Sequence, residues 1–142
     1  MIQLFITGFK TLFISFLLLS NKPPEAVIEA FDAKFPEASD VKWEKDGDHA
    51  FIATFISNDL LQKARFTDKG KWTETSIEMD FEKLPEKVQA GFDKNHPGAK
   101  VKSVMKTETS TGRIKYLIEI KKLIKTEELM YSELGKELPN NR

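Results

Sequence analysis

Cysteine is absent from the 142 residues, and histidine occurs only twice. Neither sign of charge is in excess, because 22 Lys and Arg stand against 22 Asp and Glu. The missing cysteine excludes a disulfide framework, a thiolate-ligated metal and a cysteine nucleophile. It also excludes lipid attachment to a cysteine at the end of an export signal. A histidine metal site would need His49 and His96 together with carboxylates, and the two lie in different segments of the chain. Zero formal charge argues against nucleic acid, whose binders carry a basic excess. The seven glycines are scattered singly, so no Gly-rich phosphate loop exists. No serine sits in a Gly-x-Ser-x-Gly context. Asp46-Gly47-Asp48 lacks the twelve-residue ligand pattern of a calcium loop and reads as a hairpin turn. The expectation is no catalytic residue, no cofactor and no metal. What the chain does have is 40% hydrophobic and 11% aromatic content, with 11 Phe, enough to build a core.

Residues 1–20, MIQLFITGFKTLFISFLLLS, carry one charge, Lys10, ahead of an apolar run from Thr11 to Leu19. That order reads as a secretory signal peptide. Leu18 is large for the position before a cleavage site at Ser20, so an uncleaved N-terminal anchor is the second reading. A span of this length crosses a bilayer, with Lys10 at mid-span. Either reading places the remaining chain, 21–142, in the periplasm or outside the cell.

That remainder is internally repeated. Pro24-Glu25-Ala26-Val27 recurs as Pro85-Glu86-Lys87-Val88, Phe31-Asp32 as Phe92-Asp93, and Pro36-x-Ala38 as Pro97-x-Ala99, all 61 residues apart. The offset then becomes 65, with Phe51, Phe55 and Phe66 matching Tyr116, Ile120 and Tyr131, and Gly70-Lys71 matching Gly135-Lys136. The four extra residues fall near Thr107–Arg113, which reads as a longer hairpin loop.

Each copy opens with a helix. Prolines suit its start, an apolar stripe at fourfold spacing (Val27, Phe31, Phe35; Leu84, Val88, Phe92, His96) faces a core, and Pro36 or Pro97 stops it. Alternating strands follow. Phe51, Ala53 and Phe55 point one way and Ile52, Thr54 and Ile56 the other. A unit of about 58 residues is marginal alone. The expectation is one α+β domain in which repeats 23–80 and 81–138 share one antiparallel sheet, both helices on one face and the other face open.

The aromatics bear on function. Trp43 shares parity with Val41 and reads as core. Trp72 shares parity with Glu74 and Ser76, which places it on the polar face. Together with Ile52, Ile56 and Leu117 it forms a candidate protein-binding patch. The competing reading is a tryptophan lying over Lys and Arg stems. His96 stands where the first copy has Phe35 and reads as a partly buried ring closing the helix stripe. His49 reads as a solvated hairpin residue.

Pro24–Lys45, Phe66–Trp72 and the second copy, Pro85–Lys136, resemble the PepSY-like domain family of exported Bacteroidetes proteins, also called β-lactamase-inhibitor-like. The likeness covers about residues 23–138 and is strongest at Val41-Lys42-Trp43-Glu44. The second copy departs from it, with Val104 in place of Trp43 and His96 in place of Phe35. The resemblance implies a fold like that of the β-lactamase inhibitor protein and a periplasmic or secreted location, and it carries over no catalytic residue. The expected function is a non-enzymatic binding or inhibitory module for a cell-envelope protein. The alternative is an envelope structural or small-ligand-carrying domain. Neither nucleic acid nor, apart from an uncleaved N-terminus, a membrane is expected as a partner.

Overall fold

The computed structural model describes residues 22–140, and the expected signal peptide or anchor over residues 1–20 lies outside them. The chain runs α1 (Glu25–Lys34), β1 (Ser39–Lys45), β2 (Ala50–Ser57), β3 (Leu60–Thr67), β4 (Trp72–Glu78), a 3-10 turn (Phe81–Lys83), α2 (Glu86–Asn95), β5 (Lys100–Thr109), β6 (Ile114–Lys121), β7 (Thr126–Ser132) and β8 (Glu137–Leu138). All eight strands form one antiparallel sheet in sequence order. Among the described residues no helix is long and apolar enough to cross a membrane.

The helices begin alike because their sequences do. Pro24 and Pro85 hold the position before the first turn, and Glu25 and Glu86 put a carboxylate at the positive end of each helix dipole. Each helix buries a valine and a phenylalanine four residues apart, Val27 with Phe31 and Val88 with Phe92. Those pairs seat two cores on the same face of the sheet. The first core gathers Phe51, Ala53, Phe55, Ala64 and Phe66 around α1, with Phe35, Trp43 and Trp72 packed at its margin. The second gathers Val104, Tyr116, Ile118, Ile120, Leu129 and Tyr131 around α2. Repeat-related positions do the same work in both: Phe51, Phe55 and Phe66 stand where Tyr116, Ile120 and Tyr131 stand.

Three hairpins share one turn chemistry. In Thr67–Lys71, Thr109–Arg113 and Ser132–Lys136 the first residue's carbonyl accepts from the glycine N–H at 2.9, 2.9 and 3.0 Å. The first residue's hydroxyl accepts from the last residue's N–H at 3.2, 3.1 and 3.2 Å. Each glycine has positive φ, as a three-residue hairpin loop with a bulge requires. The second repeat therefore has no longer loop at Thr107–Arg113, contrary to the sequence expectation. The turn is as tight as the others, and the extra residues lengthen the strands instead. β5 has 10 residues where β1 has 7. The longer β5 pairs with β4 from Met105 to Thr109, and this seam joins the two repeats into one sheet.

The turn glycines also anchor the helices. A Cβ on Gly70 would stand 2.5 Å from the Ala26 carbonyl oxygen, and one on Gly135 would overlap that of Lys87. Ala26 and Lys87 are repeat equivalents, so each β-turn packs directly on the backbone of the first turn of its helix.

At the far end of α2 a polar clamp ties helix to sheet. His96 Nε2, the Asn95 amide and the Tyr131 hydroxyl all meet Glu137 Oε2, at 3.1, 3.1 and 3.0 Å. The His96 ring is partly buried and stacks on Phe92 at 5.8 Å, as its place in the helix stripe predicts. Burial pushes the Glu137 carboxyl up, but hydrogen bonds from His96, Tyr131 and Asn95 and the charge of His96 outweigh it and hold the group below the usual carboxylate range. A depressed folded pKa stabilises the fold above the unfolded value, and that contribution is lost as pH falls through the folded value. Glu137→Gln should therefore show its full cost in stability already above about pH 5, with the gap to wild type closing below about pH 4. Urea denaturation from pH 7 to 3 measures this, and a pH-independent gap would contradict it.

Candidate functional site

The face opposite the helices carries no covering element among the described residues. Strand register arranges its side chains in rows that cross the strands. One row runs Lys42, Thr54, Lys63, Ser76, Thr107, Lys115 and Ser132. The next pairs Ile56 with Leu61, then Glu78, Met105, Leu117, Met130 and Leu138. A shorter third row holds Ser103, Glu119 and Glu128. At the usual interstrand spacing the apolar row from β2 to β8 is about 28 Å long. It is broken once, by Glu78, whose carboxylate accepts the Leu61 N–H at 2.8 Å.

These rows line a trough of about 260 Å³ whose walls include Ile52, Leu61, Lys63, Arg65, Met105, Leu117 and Glu119. Leu117 is its buried centre, at 7% exposure. Beside it Ser76 and Thr107 bond across the seam at 2.7 Å, and both are buried. One flank is basic. Lys115 reaches over β5 to Glu74 at 3.2 Å, Arg65 pairs with Asp46 at 2.7 Å, and Lys63 has no ion-pair partner among the described residues. The other flank is acidic. Hydrogen bonds from Thr126 hold the Glu119 carboxyl below the usual range, helped by Lys102 and Ser103 and opposed by burial. The trough is thus an apolar floor edged on one side by Lys63, Arg65 and Lys115, the last two ion-paired, and on the other by Glu119 and Glu128, with Lys102 bound to Glu119.

Of the four residues expected to form a binding patch, Ile52, Ile56 and Leu117 lie on this face and Trp72 does not. Parity fails at a β-bulge. Phe66 pairs with Trp72 while Arg65 pairs with Glu74, leaving Thr73 as the extra residue. The Thr73 hydroxyl donates to the Arg65 carbonyl at 3.1 Å and fixes the bulge. Trp72 is turned to the helix face, where its Nε1 donates to Thr75 Oγ1 at 2.8 Å and Lys34 lies 4.0 Å above its ring. Leu61, Met105 and Met130 join Ile52, Ile56 and Leu117 on this face, beyond the residues the sequence expectation names. Alternation within β3, β5 and β7 carries that signal, but their alignment in one row depends on register. His49 is solvated and bonds Asp68 at 3.1 Å. Among the described residues no three His, Cys, Asp or Glu converge as a metal site.

Several solved structures share the fold. A DUF2874 family protein from Bacteroides ovatus is 23% identical with a TM-score of 0.69, covering 84% of this chain and 86% of its own. A "putative periplasmic" protein from Bacteroides eggerthii is 18% identical with a TM-score of 0.74, covering 83% of this chain and 87% of its own. A BLIP-like protein from Bacteroides fragilis is 22% identical with a TM-score of 0.63, covering 83% of this chain and 84% of its own. No curated protein matches the sequence. The sequence model of the family described as "Putative beta-lactamase-inhibitor-like, PepSY-like" matches residues 49–138, from the hairpin before β2 through the end of β8. With that match over more than half of the chain, from β2 to β8, and a fold of the same kind, this chain belongs to the PepSY-like, β-lactamase-inhibitor-like family.

Proposed function

We propose that this protein is a non-catalytic, exported binding module that engages a partner protein through the open face of its sheet. The observation that carries the reading is the trough, with its uncovered apolar row between a basic and an acidic flank. An apolar floor with a charged rim is the anatomy of a protein-recognition surface. At about 260 Å³ it is smaller and shallower than the pockets that enclose small ligands. That favours a macromolecular partner over the alternative of a small-ligand carrier. The chemistry it selects is a convex segment with an apolar ridge, acidic toward Lys63 and Arg65 and basic toward Glu119 and Glu128. Inhibition follows where such a segment borders the partner's active site. Export is supported by the apolar residues 1–20 and by the description of the Bacteroides eggerthii relative.

The immobilised chain tests this with envelope extract of its host. Wild type and Glu29→Lys, altered on the outer surface of α1, should retain the same partner. Ile52→Lys with Met105→Lys should lower its retention at least about tenfold, as loss of central contacts does. Equal retention by all three proteins would remove the open face as the site.

A further inference from the structure

The β6–β7 hairpin ends in Lys121-Lys122-Leu123-Ile124-Lys125, closed by the Lys122 N–H donating to the Lys125 carbonyl at 2.8 Å. Leu123 and Ile124 occupy its corners and are 105% and 98% exposed, the two most exposed large apolar residues described. The repeat shows what ordinarily stands there. With the 65-residue offset their equivalents are Asn58 and Asp59, polar residues at positive φ. Those are the residue types a tight hairpin favours. Leu123 and Ile124 are not at positive φ, so the second copy turns without the left-handed corners of the first, and two aliphatics held in solvent there gain no packing. Apolar side chains exposed together in this way point to a contact surface.

The surrounding charge indicates what the tip meets. Lys100 and Lys121 stand directly opposite each other across β5 and β6, an arrangement that like charges disfavour. Lys122 is paired with Glu127 at 3.2 Å. Lys100, Lys121 and Lys125 have no ion-pair partner among the described residues. Three free ammonium groups therefore ring two protruding aliphatic side chains at one end of the sheet. We propose that this tip is a membrane-surface anchor, with Leu123 and Ile124 entering the interfacial region of an anionic bilayer and the lysines resting on its phosphates. Apolar side chains beneath a lysine collar are how interfacial segments hold to anionic lipid. The site lies at the strand ends, outside the trough, so it stands or falls separately from the open-face reading.

The absence of cysteine allows a clean test in the full chain. A polarity-sensitive dye is attached to Ile124→Cys and, in a second protein, to Asn58→Cys. With phosphatidylglycerol vesicles at low salt, the dye at 124 should shift to the blue and be quenched by a lipid-borne quencher. The dye at 58 should report neither, even when the N-terminal segment holds the chain to the vesicle. Phosphatidylcholine vesicles should give no shift at 124, and Lys121→Glu with Lys125→Glu should raise the lipid concentration needed at least about tenfold. No shift at 124, or an equal shift at 58, would overturn the proposal. So would a shift at 124 that grows with protein concentration in the absence of lipid, which would make the tip a contact between copies.

Discussion

Gly135→Ala should destabilise the protein by at least about 3 kcal/mol, while Gly112→Ala should cost only about 1–2 kcal/mol. Both glycines close the same kind of turn at nearly the same φ, +79 and +78, so the left-handed backbone penalty is common to them. They differ in what surrounds them. Gly112 has open space where a Cβ would go, and Gly135 has the Lys87 carbonyl. An alanine there must push the β7–β8 turn off the first turn of α2, because a backbone oxygen cannot rotate aside as a side chain can. Gly91 makes the mirror argument. It lies inside α2, where alanine ordinarily gains about 1 kcal/mol, but its Cβ would overlap the Gly135 carbonyl. The sign should reverse, and Gly91→Ala should destabilise. Urea denaturation of the three variants measures the series, and equal losses for Gly112→Ala and Gly135→Ala would refute the docking of turn on helix.

Phe31→Ala should cost about 3–5 kcal/mol. Phe31 is 2% exposed, and its ring meets those of Phe35, Trp43, Phe55 and Phe66 at 5.4, 5.2, 5.0 and 6.2 Å. Truncation removes the hub of the first core and leaves a hole that four rings held on the end of α1 and on β1, β2 and β3 cannot close together. Phe31→Leu keeps most of the volume and should cost about half as much or less. The more informative reading is cooperativity. Both tryptophans, Trp43 and Trp72, sit at the first core, so their fluorescence reports that half, whereas far-ultraviolet dichroism reports both. Because β4 and β5 are paired over five residue pairs, the two signals should keep one common midpoint in Phe31→Ala. A split transition would mean that the repeats fold separately.

Much of this architecture was legible in the residues. The 61-residue echo of Pro-x-x-Val and Phe-Asp located both helices, and alternation in β2 and β6 separated the core face from the open one. What failed was register. A single bulge at Thr73 carried Trp72 to the opposite face, and nothing local to Trp72-Thr73-Glu74 announces which strand residue will be left unpaired. The extra residues of the second repeat were visible, but their use was not. Thr109-x-x-Gly112-Arg113 repeats the pattern of Thr67-x-x-Gly70-Lys71, and that pattern sets a tight turn and sends the added length into β5. The apolar row of the trough was hidden for the same reason. Leu61, Met105, Leu117 and Met130 are far apart in sequence and become neighbours only once every strand is in register.

The proposed role in binding rests on one face being used and the other not. A photo-crosslinking residue placed in turn at Leu61, Met105 and Glu29 of the full chain, in its native host cell, separates the faces directly. The account predicts one and the same crosslinked partner from Leu61 and Met105, on the open face, and none from Glu29 on α1. Crosslinking from Glu29 alone, or no crosslink from either open-face position, would contradict it.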